Sequence, residues 1–372
     1  MKFAIITHVI HGKVSDKYFG YEPYVREMNL WIKNVSEVLI VAPLHDIPKN
    51  SIQEFYEHDA ITFNAVASFD ISSFKNAVNS IFIMPSIVFK IYKTMKTADH
   101  IHLRCPGNIG LLGCFVQILF PSKSKTAKYA GNWDSKSKQP ISYRLQRWIL
   151  SNTFLTKNIK VLVYGEWENS TKNIKPFFTA SYFEKDKEEV KIRTLNDKIS
   201  FVFVGTLANG KQPLYAVKII EQLHKNGNNV TLTIYGEGNE SVLLESYIAE
   251  NKLENIIFLK GNQNQETIKK SFSENHFVIL PSLSEGWPKV VAEAMFWGCL
   301  PIATKVSCVP NMIDNGKRGL LLDLKLVTDV QKIESILNDN NSYQEKVKRA
   351  LHWSRQYTMD AFEAEIKLFI KS

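Results

Sequence analysis

The sequence predicts an α/β chain made of two doubly wound domains facing a cleft. Three observations carry this expectation. The chain has 372 residues, and at roughly 100–200 residues per domain that length suits two domains. Short β-branched runs alternate with longer helical segments through both halves, the pattern of parallel sheets covered by helices on both faces. A polar stretch, FEKDKEEVKIRTLNDK at 183–198, separates the two series. The expected division is a first Rossmann-like domain at 1–182, a linker at 183–198 and a second Rossmann-like domain at 199–357. A closing segment at 358–372 is expected to be helical.

In the first half the strands are expected at Lys2–Thr7, Glu37–Ala42, Ile61–Ala65, His100–Arg104, Thr126–Ala130 and Lys160–Val163. Helices are expected between them at Glu22–Lys33, Pro85–Thr97, Ile109–Leu119 and Ile141–Asn152. The second half repeats the alternation, with strands at Ser200–Val204, Val230–Tyr235, Ile256–Leu259, Phe277–Leu280, Pro301–Ala303 and Gly319–Leu322. Its helices are expected at Leu214–Asn226, Glu240–Asn251, Gln265–Ser273 and Val290–Trp297. Ligands of such sheets sit at the carboxyl ends of the strands, so the loops that follow strands are where chemistry is sought.

Composition narrows the class. The 45% apolar and 22% charged content is ordinary for a globular protein. The cysteines Cys105, Cys114, Cys299 and Cys308 form no C-x-x-C pair and no zinc-ligand spacing, which suits reduced core thiols in the cytosol. The start, MKFAIITHVIHGK, reads as a strand rather than a signal peptide. The longest apolar stretch, Ile109–Phe120, falls short of the ~20 residues that span a bilayer. Residues 1–180 hold 22 Lys+Arg and 13 Asp+Glu, whereas the remainder holds 24 of each. The whole surplus of +9 therefore lies in the first half, which suits an anionic partner or a merely solvated basic face.

Residues 205–212, GTLANGKQ, nearly spell the phosphate loop of nucleotide triphosphatases. Gln212 stands where a magnesium-binding hydroxyl is needed, and Phe277–Leu280 ends in Pro281-Ser282 rather than Asp. A dinucleotide oxidoreductase fits no better, because Tyr235-Gly236-Glu237-Gly238 lacks the third glycine. What survives is a glycine turn at a strand end with Lys211 as a point charge, suited to a diphosphate that is held rather than hydrolysed.

The most informative stretch is SLSEGWPKVVAEAMFWG at 282–298. Glu285 lies in the loop after a strand, Gly286 permits a tight turn and Pro288 suits the first turn of a helix. Glu293 lies eight residues after Glu285 on an apolar helix, where a carboxylate is costly without a partner. The pair serves either as cap and ion pair or as acceptors for a hydroxyl-rich ligand beside a helix N-terminus.

The spacing of Glu285 and Glu293 resembles the E-x7-E signature of retaining glycosyltransferases of family 4, which have the GT-B fold of two Rossmann-like domains. Phe203-Val204-Gly205 with Lys211, the turn Tyr235–Gly238, Gly261, and Ser307-Cys308-Val309-Pro310 followed by Gly319 resemble further segments of that family in the same order. The resemblance covers about 199–325 well and the first half by topology only. It implies that Glu293 holds the ribose of a nucleotide sugar and that Glu285 contacts the donor sugar. It also implies that the Gly286 and Trp287 amides face the sugar or diphosphate and that Lys211 stabilises the leaving diphosphate. Gly205, Thr206, Gly236, Pro288 and Lys289 complete the implied donor site. Thr206 departs from an Arg common in the family, which removes one bidentate cation, and Lys289 either compensates or is solvated. No D-x-D pair occurs, in keeping with metal-independent chemistry, so neither cofactor nor metal is expected.

In the first half, which the resemblance implies binds the acceptor, the family often carries a His or a His-Asp pair where this chain has Asn132, Trp133 and Asp134, and Asn132 and Trp133 are expected to face the acceptor. Asp134 either takes a catalytic part, orienting an acceptor hydroxyl or acting as a weak base, or orders its loop. Gly12 and Tyr21 lie in a loop, His11–Tyr21, expected to line the cleft, with Gly12 and Gly20 permitting movement. Arg104 either meets an acceptor phosphate or forms a salt bridge. Pro85–Lys96, a basic amphipathic helix, the lysines of Pro121–Lys128, and Lys136 with Lys138 are candidates for anionic lipid contact. No nucleic-acid module is present. The expected enzyme is a retaining hexosyltransferase. It would move a sugar from a nucleotide diphosphate sugar to a saccharide, lipid-linked at the inner face of the cytoplasmic membrane, in polysaccharide or lipopolysaccharide synthesis. The alternative is a catalytically silent scaffold or glycan-binding subunit.

Overall fold

Apolar runs without polar alternation can be buried on both faces of a sheet, and Phe3–Ile6, Phe201–Phe203 and Phe277–Leu280 are such runs. The structure is a computed structural model that describes residues 1–50, 52–68, 74–196 and 198–370, the side chains of 74–81 excepted. Residue 197 of the polar stretch and 371–372 of the closing segment lie outside the described residues. The chain divides into two units, Met1–Phe177 with Glu363–Ser372, and Phe178–Phe362. The polar stretch 183–198 falls within the second unit.

The first unit runs β1 (Lys2–Ile6), β2 (His11–Val14), β3 (Lys17–Tyr21), α1 (Glu22–Ile32), β4 (Glu37–Pro43), β5 (Gln53–Phe55) and β6 (Ile61–Val66). It continues through α2 (Phe74–Thr97), β7 (His100–Cys105), α3 (Asn108–Val116), β8 (Ser124–Tyr129), α4 (Ile141–Ser151), β9 (Ile159–Tyr164) and β10 (Ile174–Phe177). Seven strands form a parallel sheet in the order β10-β9-β8-β7-β1-β4-β6. Phe3 to Ile6 of β1 are wholly buried. Ile6, Leu103, Ala127 and Val161 from four strands share one core with Ile91 and Met95 of α2 and Leu112 of α3.

The second unit contains β11 (Ile199–Val204), α5 (Pro213–Lys225), β12 (Val230–Tyr235), α6 (Ser241–Glu250), β13 (Ile257–Leu259), α7 (Gln265–Glu274) and β14 (Phe277–Leu280). It goes on through α8 (Lys289–Phe296), β15 (Leu300–Thr304), α9 (Val309–Met312), β16 (Leu320–Leu322), α10 (Leu326–Leu337) and α11 (Asn340–Ser354). Its parallel sheet has the order β13-β12-β11-β14-β15-β16. The order reverses direction at β11 and β14, the switch point beside which open α/β sheets hold ligands. Helix α12 (Met359–Ile370) begins in the second unit and ends in the first.

Three elements differ from the sequence expectation. The stretch 11–21 is not an open loop but the hairpin β2–β3, extended to three antiparallel strands by β5. A Cβ on Gly12 would lie 2.2 Å from Cζ of Phe19, so Gly12 is needed for ring packing rather than for movement. Pro85 stands inside α2 instead of opening it, at an exposed position of the helix. Helices α10 and α11 follow β16, where no helix is marked by the sequence pattern. No described helix is long and apolar enough to cross a membrane.

Candidate active site

The end of β11 begins the site. Gly205 donates to the Tyr235 carbonyl over 3.0 Å, and Leu207 donates to the Glu237 carbonyl over 3.0 Å. The segment after β11 therefore lies directly against the turn after β12. A Cβ on Gly236 would stand 1.9 Å from the Gly205 carbonyl oxygen, and one on Gly238 would stand 2.2 Å from that of Leu207. Gly236 also has φ +144°. These glycines exist because two backbones pass where no side chain fits.

The next turn answers the near-miss to a phosphate loop. Asn209–Lys211 form one 3-10 turn, Gln212 takes a left-handed conformation with φ +53°, and Pro213 opens α5. The Leu283 amide donates to the Gly210 carbonyl over 2.9 Å, tying this turn to the loop after β14. Across that tie Lys211 Nζ lies 2.6 Å from Glu285 Oε1, with the carboxylate side chain 7% exposed and the amine 33% exposed. One oxygen of a nearly buried carboxylate is thus satisfied by a cation that still reaches solvent.

Gly286 is fixed from behind, because its carbonyl accepts from Ser307 Oγ and Cys308 Sγ, each over 3.1 Å. Burial pushes the Cys308 thiol up to about 12, so it acts as a neutral donor. Trp287 stacks on Trp353 at 6.1 Å, and Trp353 in turn carries Arg318 at 4.7 Å. Pro288 precedes α8 as its N-cap, and Lys289 is the first helical residue. Glu293, one face of α8 further on, accepts a short hydrogen bond from Ser181. Thr206 is exposed. The buried Ser282 hydroxyl, at the end of β14, has no partner among the described residues. The structure thus brings Gly205, Lys211, Gly236, Glu285 and Gly286 to adjoining strand ends of one sheet.

The first-unit candidates fare differently. Arg104 lies 3.4 Å from Glu27 of α1 and covers the Tyr24 ring at 5.3 Å, so of the two readings it forms the salt bridge. Trp133 is 6% exposed and meets Tyr129 edge-on at 4.8 Å. It is a core residue, which corrects the expectation of an acceptor-facing ring. Asn132 Oδ1 accepts from the Asp134 amide, and Asp134 Oδ1 accepts from the Lys136 amide. Both side chains order the loop after β8. Tyr21 is 54% exposed and caps the start of α1. Lys125 is buried, donating to the Gln117 and Phe120 carbonyls over 3.2 and 2.9 Å. Lys128 is equally buried, 3.9 Å from Glu27 and 4.3 Å from the Phe177 ring. Neither can meet a lipid surface as the sequence suggested.

Residues 184–353 match the family model of group 1 glycosyl transferases. Most of the second unit is therefore similar to group 1 glycosyl transferases. A stretch of 145 residues is 30% identical to the amylovoran biosynthesis glycosyltransferase AmsK of Erwinia amylovora, covering 37% of this chain and 36% of that protein. The chain spans about a third of the length of the curated relatives it matches. Among solved structures, the lipopolysaccharide outer core galactosyltransferase WaaB aligns over 100% of this chain and 99% of its own, with TM-score 0.72 at 14% identity. HepE of Anabaena, solved with UDP and glucose, aligns over 100% of both chains with TM-score 0.69 at 13% identity. Likeness at this identity shows the fold, and that fold is GT-B, with two Rossmann-like halves.

The positions expected on the donor side, 205–293, all lie inside the match to group 1 glycosyl transferases. In the first unit the structure adds residues that the sequence reading passed over. A cavity of about 260 Å³ opens at the carboxyl ends of β1, β4 and β7, lined among others by His8, Gly107, Asn108 and Tyr143. Gly107 is required there, because a Cβ would stand 2.3 Å from His8 Nδ1. Burial, then the nearby Arg104, holds the His8 imidazole below its usual value. A histidine two residues past the first strand was the available signal. Among the described residues no group of three or more His, Cys, Asp and Glu is placed to hold a metal ion.

Proposed function

We propose that the chain is a retaining, metal-independent hexosyltransferase of family 4 that takes its sugar from a nucleotide diphosphate sugar. The observation that carries this reading is the Lys211–Glu285 pair at 2.6 Å, set at the sheet switch point beside the Gly205–Gly236 crossing. Lys211 keeps an exposed side and can neutralise the leaving diphosphate, while the second oxygen of Glu285 can accept from donor-sugar hydroxyls. Glu293 accepts from the ribose hydroxyls by exchanging the Ser181 donor it now holds. The Gly286 and Trp287 amides, with Gly205, Thr206, Pro288 and Lys289, line the donor.

The acceptor is a saccharide, lipid-linked at the inner face of the cytoplasmic membrane, and the product enters a surface polysaccharide or lipopolysaccharide. That AmsK is named for amylovoran biosynthesis supports a polymer product. The first-unit cavity beside His8 receives the acceptor, with Asn132 and Asp134 of the loop after β8 and Gly12 and Tyr21 of the β2–β3 hairpin as further acceptor-side residues. The departing phosphate oxygen takes the acceptor proton, so no strong protein base is required.

The test is titration calorimetry of UDP, GDP, ADP and CMP in the presence of EDTA, with wild type and Glu293→Ala. One diphosphate is expected to bind without metal, and the variant to bind it more weakly. Failure of well-folded protein to bind any of the four would overturn the reading.

A further inference from the structure

The second cavity of the first unit lies at the opposite end of the sheet from His8. It has a volume of about 720 Å³ and lies at the amino ends of β8, β9 and β10. Five lysines line it, Lys125, Lys157, Lys160, Lys172 and Lys175, and no described lining residue is acidic. Lys125 forms its floor, already bonded to two carbonyls. Lys157, Lys172 and Lys175 are exposed. Five ammonium groups around one cavity whose described lining includes no carboxylate raise a positive potential that favours an anion there.

The surroundings identify the kind of anion. Phe154, 78% exposed, stands between lining residues Thr153 and Thr156, and Lys157 lies 5.6 Å from its ring centre. Leu119, 65% exposed, precedes lining residue Pro121 by two positions. A soluble phosphate has no use for bare aromatic and aliphatic groups at its rim. A lipid surface has, because apolar side chains enter the acyl boundary while lysines stay at the headgroups.

We propose that this cavity is a headgroup site for anionic phospholipid, with Lys157, Lys172 and Lys175 on the phosphate and Phe154 and Leu119 inserted beside it. The site is independent of the donor reading, since it lies in the other unit and on none of the proposed donor residues. It also replaces the buried Lys125–Lys128 segment as the part of the first half that meets lipid.

The experiment is flotation of the whole chain with vesicles of phosphatidylcholine alone or with phosphatidylglycerol added, at low and high salt. Binding is expected only with the anionic lipid, and it weakens with salt. The double variant Lys172→Glu/Lys175→Glu is expected to bind at least about tenfold more weakly. Phe154→Ser is expected to lose binding in part, and Lys172→Arg/Lys175→Arg to keep it. All three positions are exposed, so each variant folds, as its circular dichroism will record. Anionic-vesicle binding unchanged by the charge reversal overturns the proposal, as does equal binding to neutral vesicles. Absent vesicle binding alongside saturable binding of inorganic phosphate, lost in the double variant, also overturns it in favour of a soluble anion.

Discussion

Glu285 is the residue on which the donor reading turns, and its chemistry depends on one neighbour. A carboxylate 7% exposed needs a counter-charge, and Lys211 supplies it from a different strand end. Lys211→Met leaves that carboxylate unpaired, at a cost of roughly 1–3 kcal/mol of stability. It also removes the only cation placed on Glu285 among the described residues. We expect this variant to melt earlier in a thermal scan and to bind its preferred nucleoside diphosphate at least about tenfold more weakly by calorimetry. Unchanged affinity would remove Lys211 from the donor site. Trp133 teaches the opposite lesson at the same scale. Its indole sits among residues that read as ligand-facing, yet it fills core space against Tyr129.

Single elements are shaped by close backbone approach more than by propensity. The turn Tyr235–Gly238 follows a strand that any periodicity argument finds. Its glycines are explained only by the Gly205–Leu207 backbone crossing over it. Gly236→Ala places a methyl group 1.9 Å from a carbonyl oxygen in a positive-φ conformation. It should cost more than about 2 kcal/mol, read as a lower urea midpoint, and it should disturb nucleotide binding as well. Ala at Gly210, where nothing lies within 4 Å, is the matched control and should change neither. The hairpin β2–β3 shows the same logic, since Gly12 faces the Phe19 ring across the strand pair rather than serving as a hinge.

At the scale of the whole molecule, the first unit concentrates groups that acid would disrupt. His100 and His102 are buried on β7 and share the Thr126 hydroxyl, each at 2.9 Å, with Phe3 stacked on both. His11 is buried against Tyr56 at 2.8 Å. Burial lowers His11 and His100 to about 4, opposed at His11 by the Val9 carbonyl and assisted at His100 by Lys160. Burial, then His100, Arg104 and Lys128, holds His102 well below its usual value. The folded imidazoles therefore stay neutral while the unfolded ones protonate near pH 6.5, so the unfolded chain binds more protons between those values. Stability is full above about pH 6.5 and falls as the pH drops toward 4, with His11 and His100 each losing up to about 3 kcal/mol. Urea unfolding at pH 7.5, 6 and 4.5 should show a falling midpoint, and His100→Asn should flatten that dependence. A midpoint constant across this range would contradict the argument.

The sequence by itself determined the two parallel sheets and most of their helices, and by resemblance it singled out the candidate donor positions. Buried β-branched runs such as Phe201–Val204 and Phe277–Leu280 have one stable use, and Glu285, Glu293, Gly236 and Lys211 are separated by recognisable strand ends. Local pattern carries that much because strand and helix positions answer to their own element, whereas the need for glycine at 236 comes from the Gly205 backbone crossing it. Only the tertiary structure decided the rest. Arg104 meets Glu27, 77 residues away, and Lys211 meets Glu285, 74 residues away. Lys125 and Lys128 lie on a strand whose burial is set by neighbouring elements. The lysine cavity gathers the starts of three strands. Contacts between residues distant in sequence depend on how the sheets order their strands, and no local spacing encodes that order.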